Sequence, residues 1–192
     1  SALDLRQMSH NANAIIANWF LGGASGWPVF DVIRGKVNPS GKLAETFPLE
    51  LKQTPHYPIY PEEVAVNYEG DIINSGYRYY DTKNIDVLYP FGYGLSYSKF
   101  TLKDISISEA NNVLTIQLSV HNESSIDGKE VVQVYVGKKD SLVVRPVKEL
   151  KAFQKVFVKS NQKKQITIEL PNEELGIYDE SRNDFIVEDG MY

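Results

Sequence analysis

The chain has 192 residues with 42% hydrophobic and 23% charged content, the balance of a folded globular protein and not of a disordered one. A formal net charge of −5 and a pI near 5.3 give no electrostatic reason to expect a nucleic-acid or anionic-membrane partner. Cysteine is absent, which excludes disulfides and thiolate metal sites but leaves a cytoplasmic and a secreted location equally open.

No apolar run approaches the roughly 20 residues of a membrane helix, and the first residues carry no signal-peptide pattern. Residues 4–20 predict an amphipathic helix. Leu5, Met8, Ala12, Ile15, Ile16, Trp19 and Phe20 recur at helical spacing, with Arg6, Gln7, Asn11, Asn13 and Asn18 elsewhere on the wheel. Gly22-Gly23 ends it. Ser25 or Gly26 caps a second helix with Pro28 in its first turn, followed by Val29, Phe30, Val32 and Ile33, and Gly35 closes it. Asn38-Pro39-Ser40-Gly41 is a turn, and Leu43 to Phe47 reads as a short buried strand. Two helices and one strand cannot enclose a core. Residues 1–48 are therefore expected to be the end of a larger α/β unit, exposing apolar surface along Leu5–Phe20 and Leu43–Phe47 and prone to self-association.

Residues 49–98 are dense in proline and aromatics, and nine of the chain's twelve tyrosines lie between Tyr57 and Tyr97. A flexible linker would be rich in Gly, Ser, Lys or Glu. The composition instead predicts an ordered extended arm that packs its tyrosines across neighbouring domains. From residue 99 onward the pattern changes to period two. Leu114, Ile116, Leu118 and Val120 share one face of a strand, and Thr115, Gln117, Ser119 and His121 share the other. Further strands are expected at 101–107, 130–136, 148–158, 165–170 and 185–188, with turns at Asn111-Asn112, Ser160-Asn161 and Asn183-Asp184. Some seven short strands in this space fit an antiparallel β-sandwich of immunoglobulin or fibronectin type III kind, and without a Cys…Trp…Cys pattern the second is favoured. The predicted fold is mostly β: a fibronectin type III-like sandwich preceded by a partial α/β segment and an extended aromatic arm.

Few residues invite a chemical role. His10, His56 and His121 share no metal-like spacing. Ser25 sits among glycines but has neither nucleophile-elbow nor phosphate-loop order, so helix capping is its better reading. Glu69 in Tyr68-Glu69-Gly70 is the most tempting carboxylate, and a structural ion pair or backbone hydrogen bond is its blander reading. Arg78 and Asp81 read as a local salt bridge fixing the arm. The tyrosines could stack on sugar rings, but packing between domains carries more weight.

Three strings of residues carry a resemblance. Pro90-Phe91-Gly92-Tyr93-Gly94-Leu95-Ser96-Tyr97, Gly76-Tyr77-Arg78-Tyr79-Tyr80-Asp81 with Tyr68-Glu69-Gly70, and Asn38-Pro39-Ser40-Gly41-Lys42-Leu43 followed by Thr46-Phe47-Pro48 together resemble the C-terminal region of family 3 glycoside hydrolases of β-glucosidase type. The segment Asn13 to Gly35 resembles that family's glycine-rich loop and its flanking elements. It departs at Leu21, where the family usually has proline, at Ala24-Ser25, and at Trp27, which replaces a glycine. The resemblance implies a C-terminal portion of a larger retaining glycosidase whose aspartate nucleophile and glutamate acid/base lie upstream. It also implies that the family pattern continues for one more strand beyond Tyr192. On that reading no catalytic residue, metal ligand or cofactor is assigned here, and substrate-binding residues stay unassigned. The remaining N-terminal domains of the same enzyme are the partners, and a β-glycoside is the substrate reached through them. A carbohydrate-binding or protein-interaction β-sandwich module is the alternative.

Overall fold

A computed structural model describes residues 3–24, 26–55, 57 and 72–192. Ser25, His56, Tyr68, Glu69 and Gly70, singled out above, lie outside the described residues. Three short helices, α1 (Arg6–Asn11), α2 (Gly26–Ile33) and α3 (Tyr77–Thr82), precede most of the strands. Strands β1 (Phe47–Pro48) and β2 (Val87–Tyr89) form a small antiparallel ladder, with Phe47 opposite Tyr89.

The sandwich begins at β3 (Phe100–Ala110) and continues through β4 (Val113–Asn122), β5 (Gly128–Val136), β6 (Glu149–Val158) and β7 (Lys163–Pro171). A last hairpin joins β8 (Ile177–Asp179) to β9 (Asp184–Ile186). One sheet has the order β3-β4-β7 and the other pairs β5 with β6, all antiparallel. Between them lies one apolar cluster: Ile116, Leu118 and Val120 of β4, Ile166, Ile168 and Leu170 of β7, Val132 of β5, Val156 and Val158 of β6, and Leu175. The period-two pattern of β4 thus sets which side chains reach the core. The Asn111-Asn112 turn closes the β3–β4 hairpin with φ of +53° and +60°, a left-handed pair that asparagine tolerates and that matches strand twist. Asp104 also has positive φ, +55°, beside the bulge between Lys103 and Ser106.

The α/β segment departs from expectation. The helix predicted over 4–20 is limited to Arg6–Asn11, and Ala12 is already extended. Helices of this length draw most of their stability from tertiary burial, and asparagines are poor helix formers. Ile16, Trp19 and Phe20 remain largely exposed, so the far end of the apolar stripe supplies little packing energy to extend the helix. The strand expected over Leu43–Phe47 shrinks to Phe47–Pro48, and Thr46, Phe47 and Pro48 are buried, so this stretch is not the exposed surface anticipated for it. The arm is likewise only partly extended. It contains α3, entered at Gly76 with φ of +58°.

Candidate functional site

The proline- and glycine-rich strings meet. Gly92 N–H donates to Leu43 O, and Leu43 N–H donates to Tyr93 O, both at 2.7 Å, so the Asn38–Leu43 turn and the Pro90–Tyr97 strap run as a backbone-bonded pair. Their union needs glycine. A Cβ on Gly94 would collide with Gly41 O, and one on Gly92, whose φ is +79°, would collide with Gln133 Oε1. Lys42 Nζ then reaches Gly94 O at 2.8 Å and Glu130 Oε1 at 2.7 Å, fastening the pair to β5. Asn38 completes the clasp with all of its amide. Oδ1 accepts from Ser96 Oγ (2.8 Å) and Tyr97 N–H (2.9 Å), while Nδ2 donates to Ser98 Oγ (2.8 Å) and Asp127 O (3.0 Å).

Between this strap, α3 and the sandwich lies a cleft of about 490 Å³ lined by Tyr77, Asp81, Phe91, Tyr93, Glu130 and Tyr135 among others. That volume suits a small ligand, but its aromatic faces are engaged by one another. Tyr77 stacks on Phe91 with centroids 4.5 Å apart and meets Tyr135 edge-on at 5.9 Å, and Tyr93 stacks on Tyr89 at 5.5 Å. Leu150 N–H donates to Tyr77 Oη at 2.7 Å. Tyr135 O–H donates to Gln133 Oε1 at 2.6 Å, and Gln133 Nε2 donates to Gly92 O at 3.0 Å. Burial, then the neighbouring Tyr77 and Asp81, pushes the Tyr135 phenol above its ordinary pKa.

The carboxylates of the cleft each face a lysine. Asp81 Oδ2 is 3.3 Å from Lys148 Nζ, and Glu130 is held by Lys42. Arg78 and Asp81 do not pair with each other as expected. Arg78 reaches Glu149 Oε1 at 3.2 Å, so α3 is pinned to the segment entering β6 by two crossed ion pairs in place of one local one. Glu149 also faces Lys151 at 3.4 Å and Arg145 at 3.9 Å. Arg145, its side chain 5% exposed, reaches Glu188 at 3.4 Å. Ser141 Oγ and Leu142 N–H donate to the Glu188 carboxylate at 2.6 and 2.8 Å, and these donors, the hydroxyl first, hold its pKa below the ordinary value.

The expected histidines stay apart from this constellation: His10 lies at the end of α1 and His121 on β4. Among the described residues no group of three or more His, Cys, Asp or Glu could hold a metal ion, and none of the helices among them is long and apolar enough to cross a membrane. Sequence reasoning missed Gln133, Glu130, Lys148 and Glu149, because the partners that tie them to the strap and α3 lie 41 to 88 positions away and no local spacing announces such pairs.

The glycosyl hydrolase family 3 C-terminal domain pattern matches residues 1–97, and the fibronectin type III-like domain pattern matches residues 130–192. The chain belongs to glycoside hydrolase family 3. It is 44% identical over 179 residues to thermostable β-glucosidase B of Acetivibrio thermocellus, covering 90% of this chain and 24% of that protein. It is 41% identical over 194 residues to an exo-α-(1→6)-L-arabinopyranosidase of Bifidobacterium breve, covering 100% and 26%. Among solved structures it matches the family 3 β-glucosidase of Bifidobacterium adolescentis (TM-score 0.83, 43% identity, 90% of this chain and 26% of that one). It also matches β-glucosidase 3B of Thermotoga neapolitana in complex with glycerol (TM-score 0.85, 35% identity, 92% and 25%). The chain therefore spans about a quarter of the length of the family 3 relatives it matches, and it corresponds to the C-terminal portion of their fold.

Proposed function

We propose that the chain is the non-catalytic C-terminal part of a retaining β-glucosidase-type glycosidase, holding that enzyme's domains in register and forming one flank of its substrate cleft. In this reading residues 1–48 close an α/β domain, residues 49–98 are the arm that crosses to the sandwich, and residues 99–192 are the sandwich. The observation that carries it is the clasp: the family strings at 38–43 and 90–97 bond to each other and to β5, which is the work of domain placement. Retaining hydrolysis needs two carboxyl groups about 5–5.5 Å apart in opposite protonation states. Asp81 and Glu130, the carboxylates of the cleft, are instead each neutralised by a lysine. The aromatic cleft favours this reading over a free carbohydrate-binding module, because its rings stack on one another.

The partners in this reading are the remaining domains of the same polypeptide, and the substrate is a β-glycoside bound chiefly by them. In residues 1–48 Met8, Ile16, Trp19, Phe20, Trp27 and Ile33 are all exposed, with Trp27 at 76% in the first turn of α2, and this apolar surface is what those domains would cover. Left uncovered, that surface drives self-association of the isolated chain. A chimera tests the reading. Replacing the matched quarter of the Acetivibrio thermocellus enzyme with this chain should retain hydrolysis of an aryl β-glucoside, and a folded chimera without turnover would refute it.

A further inference from the structure

The helix α2 buries none of its residues, yet it is tied to the sandwich by a short chain of hydrogen bonds centred on the Asn38 amide. We infer that Asn38 is a positioning residue through which the fibronectin-like sandwich holds α2, and with it the glycine-rich segment before α2, in place. At the sandwich end, Asn38 Nδ2 is fixed by Asp127 O and Ser98 Oγ, and Ser98 Oγ–H in turn donates to Ile126 O at 2.7 Å. Gly128, at the start of β5, makes room for the amide: a Cβ there would stand 2.7 Å from Asn38 Nδ2 and 3.1 Å from Ser98 Oγ. At the other end, Asn38 Oδ1 fixes the backbone of Tyr97, whose Oη–H donates to Val32 O of α2 at 2.7 Å. The amide thus joins the sandwich, directly at Asp127 and through Ser98 at Ile126, to one point of the helix, and a planar group with two donors and two acceptor sites fills all four roles.

The consequence for function rests on the proposal above, in which the chain forms one flank of the parent enzyme's cleft. The coupling itself is a property of this chain and is tested without substrate. Hydrogen exchange of the full chain, followed by mass spectrometry on the millisecond-to-minute scale, reads residues 26–37 separately from β4 and β7. Tyr97→Phe removes only the bond to Val32 and should speed exchange of 26–37 about tenfold. Asn38→Ala, although Asn38 touches no atom of α2 in these bonds, should speed the same peptide about 10- to 100-fold, and the double variant no more than Asn38→Ala alone. Exchange in β4 and β7 should stay as in the parent chain. Ser96→Ala, which removes one of the two donors to Oδ1 together with the acceptor of Ser98 N–H but leaves the Asn38 amide in place, should give a smaller rise than Asn38→Ala, confined to the same peptide. Unchanged exchange at 26–37 in Asn38→Ala overturns the inference. So does an additive double variant, which would mean two independent tethers, or a uniform rise across all peptides, which would mean general destabilisation. An inactive chimera would leave this inference standing, and normal exchange in Asn38→Ala would leave the proposed function standing.

Discussion

Replacing Lys42 with methionine keeps the stem of the side chain and removes its charge, which isolates what the clasp contributes. Lys42 and Glu130 are 18% and 17% exposed and 2.7 Å apart, and the ammonium also reaches Gly94 O at 2.8 Å. Exposed pairs of this kind contribute about 0–1 kcal/mol, whereas breaking a fully buried pair costs about 3–5 kcal/mol. At this intermediate burial Lys42→Met should cost about 2 kcal/mol, because the Glu130 carboxylate keeps the Val131 N–H but loses its counter-charge, and Gly94 O loses the Lys42 ammonium. For a chain of this size that is a fall in Tm of roughly 4–8 °C. Urea unfolding of the parent, Lys42→Met, Glu130→Gln and the double variant closes a thermodynamic cycle, for which we expect a coupling energy of about 1 kcal/mol or more. Additive single effects, or a loss below about 0.5 kcal/mol for Lys42→Met, would refute the view that this pair fastens the strap to the sandwich.

Other changes follow from the same packing. Gly94→Ala drives a methyl group into the Gly41 carbonyl, where both sides are backbone, and should cost at least about 2 kcal/mol in thermal or urea unfolding. Leu170→Ala empties a site that is 2% exposed between the two sheets and should lose about 2–5 kcal/mol by the same measurement. Glu188 has its folded pKa held below the ordinary 4.5, so its stabilising effect is present above that value and is lost as pH falls through the lower, folded one. Glu188→Gln should therefore be less stable than the parent at pH 7, with the gap closing progressively below pH 4.5. A gap that persists unchanged to low pH would contradict that assignment.

The sandwich was legible because period-two patterning is a local signal that tertiary packing reinforces. The Val113–His121 alternation predicts the strand and its core face, and the Asn111-Asn112 turn predicts the hairpin. The Ile177–Asp179 strand was not anticipated, although its equally short partner Asp184–Ile186 was, next to the Asn183-Asp184 turn. Residues 4–20 misled for the opposite reason. Their helical spacing is real, but the surface that would reward it is absent from the packing, and the chain extends from Ala12. α3 was hidden by Tyr77, Tyr79 and Tyr80, residues that favour strands by propensity and here form a helix because Tyr77 packs on Phe91 and Tyr80 is buried. The strings that carried the family resemblance named the members of the clasp, yet not their union. Asn38 and Asp127 lie 89 positions apart, and nothing local foretells that one amide will join them.

The central claim is that the bond-breaking acids belong to the rest of the polypeptide, and the most direct test is an assay of the purified chain alone with an aryl β-glucoside. The account predicts release of the aryl group no faster than in buffer from a sample whose circular dichroism confirms the folded sandwich. Sustained turnover that survives repurification and disappears on substitution of a carboxylate of this chain would contradict it.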